Sequence, residues 1–153
     1  MTLQTIFNQF TDIDRQIQTL IRDIGIDDEC DLWDAFTPNK EDPNEMFLFH
    51  ELNDLMPLLF RLHRKLAYLL MPCSDVYVLR KYPNGRYGYD IRPFEEGRTF
   101  SCGTPLEALI YNGNGSPRWV STRIEHNGTD YYLYGYSEIP LDGLPVRERR
   151  CTA

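Results

Sequence analysis

The sequence predicts an α+β protein, an N-terminal helical hairpin followed by a C-terminal five-stranded small antiparallel β-barrel of SH3-like or OB-like size. Three observations predict it. Over the first 72 positions, apolar residues recur in steps of three and four, the period of one helix face. From position 73 they alternate within short runs rich in β-branched and aromatic residues, which suit a half-buried pleated surface. Those runs are separated by Pro83-Asn84-Gly85, Asn112-Gly113-Asn114-Gly115 and Asn127-Gly128, where Asn and Gly offer the positive φ that tight hairpins need. The chain therefore reads as an acidic helical region, 1–72, and a small β-barrel domain, 73–153, in one compact unit.

In the helical region, Leu3, Ile6, Phe7, Phe10, Ile13, Ile17, Leu20, Ile21 and Ile24 fall along one side of a helix, and Gly25 supplies its stop. The tract from Ile26 to Glu45 mixes carboxylates with Leu32, Trp33, Phe36 and two prolines. It reads as a loop with one short helical turn around Leu32 to Phe36. A second helix starts near Pro43, a residue favoured in a first turn because its missing N–H would be unpaired there. Its apolar pattern continues through Leu70 and ends at Pro72. Pro57 interrupts that pattern and predicts a kink, or two helices meeting there. Two amphipathic helices joined by a loop form an antiparallel hairpin that buries their shared faces, and here the loop is the acidic segment.

In the β region the runs are Val76 to Tyr82, Arg86 to Ile91, Pro105 to Tyr111, Arg118 to Glu125, Asp130 to Tyr136 and Leu144 to Arg149. Five are enough to close a small barrel, with Phe100 and Cys102 in a longer connection. Alternation in the fourth run sends Val120, Thr122 and Ile124 to the core. It leaves Trp119, Ser121, Arg123 and Glu125 together on an outer or rim surface.

Charge is divided unevenly. Residues 1–72 hold 13 acidic and 6 basic side chains and residues 73–153 hold 10 of each, so the whole net charge of −7 resides in the first half. Asp23 to Asp54 alone carries 11 carboxylates against Lys40. A phosphate backbone is repelled there and a basic protein surface attracted.

At 153 residues the chain has room for one core with a helical extension, and its 42% apolar content argues against wholesale disorder. No segment approaches the roughly 18 uncharged apolar residues of a membrane span, and the opening MTLQTIFNQFTDIDRQ lacks the pattern of a secretory signal. A cytoplasmic location and no membrane partner are expected. Cys30, Cys73, Cys102 and Cys151 form no C-x-x-C, and His50, His63 and His126 lack close ligand spacing, so neither a metal nor another cofactor is expected.

Several motifs occur in a recognisable order: Asn84-Gly85-Arg86-Tyr87, Cys102-Gly103-Thr104-Pro105-Leu106-Glu107, Trp119 to Glu125, Tyr131 to Tyr136 and Leu141 to Arg147. Together they resemble a short domain of unknown function common in Gram-positive bacteria and their mobile elements. The resemblance covers roughly Val76 to Arg149, and the leucine-rich helix before it is similar to what often precedes that domain. It implies a compact β module in a bacterial accessory protein and brings no catalytic residues with it. The acidic loop and first helix lie outside it.

The acidic loop is the first candidate site. Asp27, Asp28, Glu29, Asp31, Asp34, Glu41 and Asp42 surround Trp33 and Phe36, joining an apolar anchor to electrostatic steering. A solvated charge run with no binding role is the plain alternative. The expectation is a non-enzymatic interaction protein of a mobile element that covers a basic surface of a nucleic-acid-handling host protein, as an anti-CRISPR or nuclease inhibitor would. A second expectation is nucleic-acid binding on the barrel face, where Arg86, Tyr87, Arg92, Trp119 and Arg123 combine guanidinium groups with planar rings. The neutral β region weakens it, because such sites need a basic footprint. A third is a cysteine-dependent enzyme pairing Cys102 with His126. Oligomeric state is open on sequence grounds.

Overall fold

Thr2 starts the first helix by accepting the backbone N–H of Thr5 on its side chain, and α1 then runs from Leu3 to Ile24. Gly25 ends it in the left-handed conformation, φ 79°, and its N–H reaches back to the Ile21 carbonyl, as the sequence leads one to expect. The computed structural model describes residues 1–27, 31–92 and 95–150, in two units that divide after Leu70.

In the first unit, α1 is followed by a four-residue helix, α2 (Leu32–Ala35), and by α3 (Pro43–Leu70). The helix continues through Pro57 instead of breaking into two. Pro57 is exposed, so water can satisfy the carbonyl one turn back that loses its N–H partner. Asp14 meets His63 near the middle of the pair, while Ile21, Ile24 and Ile26 pack with Met56, Leu59 and Phe60. That order of contacts makes α1 and α3 antiparallel, the expected hairpin.

Among its described residues the second unit holds eight strands: β1 (Tyr77–Val78), β2 (Arg80–Lys81), β3 (Tyr87–Arg92), β4 (Glu95–Thr99), β5 (Pro105–Tyr111), β6 (Pro117–His126), β7 (Tyr131–Leu133) and β8 (Pro145–Arg147). They form two antiparallel sheets, one of order β1-β8-β5-β6-β7 and one of order β2-β3-β4. The larger is a curled half-barrel of five strands, and the smaller adds three strands that the sequence reading did not separate.

Leu79 explains the difference. Its N–H and C=O bond to Leu144 and Gly143 while its side chain is fully buried, so one sequence run turns a corner there. β1 joins the first sheet and β2 the second. The other strand that the sequence hides is β4. Glu95-Glu96-Gly97-Arg98-Thr99 shows no apolar alternation, yet its backbone pairs with β3 through a bulged register. Gly88 makes this approach possible, since a Cβ there would run into the Arg98 carbonyl and the Tyr82 ring.

Leu79, Tyr89, Phe100, Ile124, Leu133 and Val146 form the inner part of the β core. Phe100, expected in a connecting loop, is 1% exposed. Ile124 is fully buried and Val120 packs beside it, as alternation along β6 predicts. Two carboxylates enter this unit's interior with partners. Glu107 pairs with Arg147 and Arg149, and Glu148 accepts the Tyr89 hydroxyl at 2.7 Å beside Arg98 and Arg150. Burial, then that bond, pushes the Tyr89 phenol well above its ordinary pKa.

Candidate protein-interaction site

The acidic loop folds as a short helix seated against α3. Asp31 caps α2 by accepting the Trp33 N–H at 2.8 Å, and Asp34 closes the box by accepting the Asp31 N–H at 3.0 Å. The Leu32 N–H donates to Asn53 Oδ1 of α3 at 2.8 Å, and the Leu32 side chain is buried. Asp42 in turn caps α3, accepting the Asn44 N–H at 2.9 Å.

Three carboxylates that sequence reading assigned to a partner therefore also serve as helix caps. Glu41 and Asp27 are exposed, whereas Asp28 and Glu29 lie outside the described residues. Trp33 packs on Phe49, with ring centroids 4.3 Å apart, and Lys40 approaches the Trp33 ring. Phe36 stacks on Phe49 at 6.1 Å but keeps about half of its surface exposed, 51%.

Beside α2 the end of α1 and the start of α3 enclose a groove of about 540 Å³. Its walls are Ile24, Leu32, Ala35, Phe36, Leu48, Phe49 and Leu52, and Asp23 and Glu45 stand among them. Of these lining residues the sequence reading assigned only Phe36 to the site; it missed both carboxylates and the other apolar walls. A signal existed for Asp23, because an acid in the last turn of a helix opposes the helix dipole and its place there asks for another reason. Glu45 accepts the Asn39 N–H at 3.0 Å, which fixes it at the mouth of the loop. The groove thus offers apolar contact with negative charge at hand.

On the β face, Arg123 and Trp119 are already engaged within the unit. Arg123 pairs with Glu125 and stacks on Tyr134 at 3.7 Å, and that carboxylate bond raises its pKa. Trp119 is covered by Arg147 at 4.3 Å, itself paired with Glu107. Arg86 is exposed in a turn and Arg92 is exposed at the end of β3. Tyr87, expected on that face, is instead a core residue at 8% exposure, edge-on to Tyr131. It occupies the buried side of β3, so it is not available for stacking a base.

Cys102 donates its thiol to Glu125 at 2.8 Å, and this bond to a carboxylate raises the thiol pKa. His126 Nδ1 accepts the Gly128 N–H and belongs to the turn. Among the described residues, no three His, Cys, Asp or Glu side chains are grouped to hold a metal, and no helix is long and apolar enough to cross a membrane.

Comparison with known families meets this geometry in the β unit. Residues 77–148 match the model of a domain of unknown function, DUF5348. The match starts and ends within one residue of Val76 to Arg149, the stretch that the resemblance covers. It takes in both sheets and excludes the helical unit with its groove. No curated protein and no solved structure matches the chain.

Proposed function

We propose that the chain is a non-enzymatic interaction protein whose helical unit receives a basic, apolar-anchored segment of a protein partner in the groove beside α2. One observation carries this reading: the groove is apolar, has Asp23 and Glu45 among its lining residues, and belongs to the tract that holds 11 acidic residues and one lysine. Steering by that field brings a basic surface in, and burial against Phe36, Leu48 and Leu52 retains it. Such a surface on a partner is the kind that holds nucleic acid. The chain then acts by occupation, as a mobile-element inhibitor of a host nuclease or CRISPR effector does. In this reading the DUF5348 region is a scaffold, its two sheets the halves of a small barrel of SH3-like or OB-like size.

The test is capture from nuclease-treated host lysate with three baits: the native chain, Phe36→Ala, and Asp23→Lys with Glu45→Lys. A basic nucleic-acid-handling protein retained by the native bait and lost by both variants is the expected result. Retention by all three baits, or no such protein on the native bait, contradicts the proposal. Asp31, Asp34 and Asp42 are left intact because reversing them removes helix caps.

A further inference from the structure

Along α1, every seventh residue from Leu3 (Leu3, Phe10, Ile17, Ile24) and every seventh from Ile6 (Ile6, Ile13, Leu20) is apolar. In α3 the same pattern is written in leucine: Leu52, Leu59 and Leu66 in one register, Leu48, Leu55, Leu62 and Leu69 in the other. Steps of three and four that alternate without a break are the signature of a seam that packs knobs into holes. At about 100° per residue and with the helices antiparallel, both seams fall on one side of the hairpin. The groove lined by Gln18, Arg22, Phe60 and Arg64 lies on the other side.

Two helices cannot enclose such a pair of seams. Seven seam positions away from the α2 groove stay exposed, from Ile6 at 37% to Leu3 at 84%. With the half-buried Leu59 and Leu62 they leave on the order of 700 Å² of apolar surface per chain. That approaches the roughly 800 Å² each partner gives to a standard stable interface. The helical unit also has little core of its own. Among the described residues it buries seven apolar side chains, against thirteen in the β unit. A unit of this size with so little burial gains stability by association.

The exposed area fits a second copy as the occupant, and the charges do not oppose it. From Leu3 to Arg22, Asp12 and Asp14 are balanced by Arg15 and Arg22, and the seam is flanked on one side by Gln9 and Gln16. From Leu55 onward α3 carries Arg61, Arg64 and Lys65 and no carboxylate. The repulsion concentrated between Asp23 and Asp54 is kept off this part of the seam, and a basic partner finds no row of acids there. We propose that the chain dimerises through this face, two hairpins closing into a four-helix bundle with the Ile and Leu seams as its core. The seams share Ile24, Leu48 and Leu52 with the acidic groove, but the proposal rests on the seven exposed positions outside it.

The test is sedimentation of the full chain from about 1 to 100 µM. It is repeated on Ile6→Lys with Ile13→Lys. The native chain is expected to be a dimer and the variant a monomer with its helical circular dichroism retained. A native chain that stays monomeric throughout, or a variant that still dimerises, overturns the proposal. Should the variant unfold, hydrogen exchange of the native chain above and below its association range decides. Protection gained in residues 3–20 and 55–69 upholds the seam, and protection gained only within residues 77–148 overturns it.

Discussion

Asp14 is 1% exposed, with His63 Nδ1 at 2.8 Å from one oxygen and Gln18 donating to the other at 2.7 Å. Removing the imidazole strips a buried carboxylate of one of these partners, so His63→Ala is expected to cost about 1–3 kcal/mol. Urea unfolding followed by helical circular dichroism measures it, and an unchanged midpoint contradicts the assignment. Cys102 supports a second expectation. Its bond to Glu125 holds the thiol protonated, so alkylation near neutral pH should be slower at Cys102 than at the exposed Cys73. Glu125→Gln should speed it, because the main cause of the raised pKa is gone. Neither pairing is visible in the sequence: Asp14 and His63 are 49 positions apart, and Cys102 and Glu125 are 23 apart. Side-chain identity names candidates for such contacts, but only the fold chooses among them.

At the scale of elements, α1, α3 and the hairpins around Asn-Gly turns follow from periodicity and turn chemistry, because those signals are local. β4 does not. Its strand character comes from backbone pairing with β3 across a glycine-enabled close approach, and its neighbour Phe100 is buried by tertiary packing. Phe100→Ala is therefore expected to destabilise the β unit by about 3–5 kcal/mol, read from its denaturant midpoint. A loss below about 1 kcal/mol would contradict that burial. Acid should unsettle the same unit. Glu125 is held below the usual carboxylate range by Cys102 and Arg123, Asp90 by Arg80 and Tyr82, and Asp130 by Lys81 and the Tyr131 N–H. A depressed carboxylate stabilises fully above its unfolded pKa and loses that contribution as pH falls through the folded one. The midpoint should thus hold steady above about pH 5 and fall below about pH 4, near the unfolded carboxylate values.

On the scale of the whole molecule, the net negative charge and most of the exposed large apolar side chains are in the helical unit, outside the DUF5348 match. The acidic tract was legible as a candidate site because charge runs are visible in sequence. The groove was not, since Ile24, Leu32, Phe36 and Leu52 converge only when α2 docks on α3 through Asn53. The caps at Asp31, Asp34 and Asp42 were hidden in the same way, and they move the test of charge to Asp23 and Glu45. The measurement that tests the account most directly is the affinity of the captured partner for the native chain, Phe36→Ala, and Asp23→Lys with Glu45→Lys, each across a range of salt. The account predicts that Phe36→Ala weakens binding at every salt concentration, while the double reversal weakens it most at low salt and flattens the salt dependence. Equal affinity for all three chains at every salt concentration would contradict it.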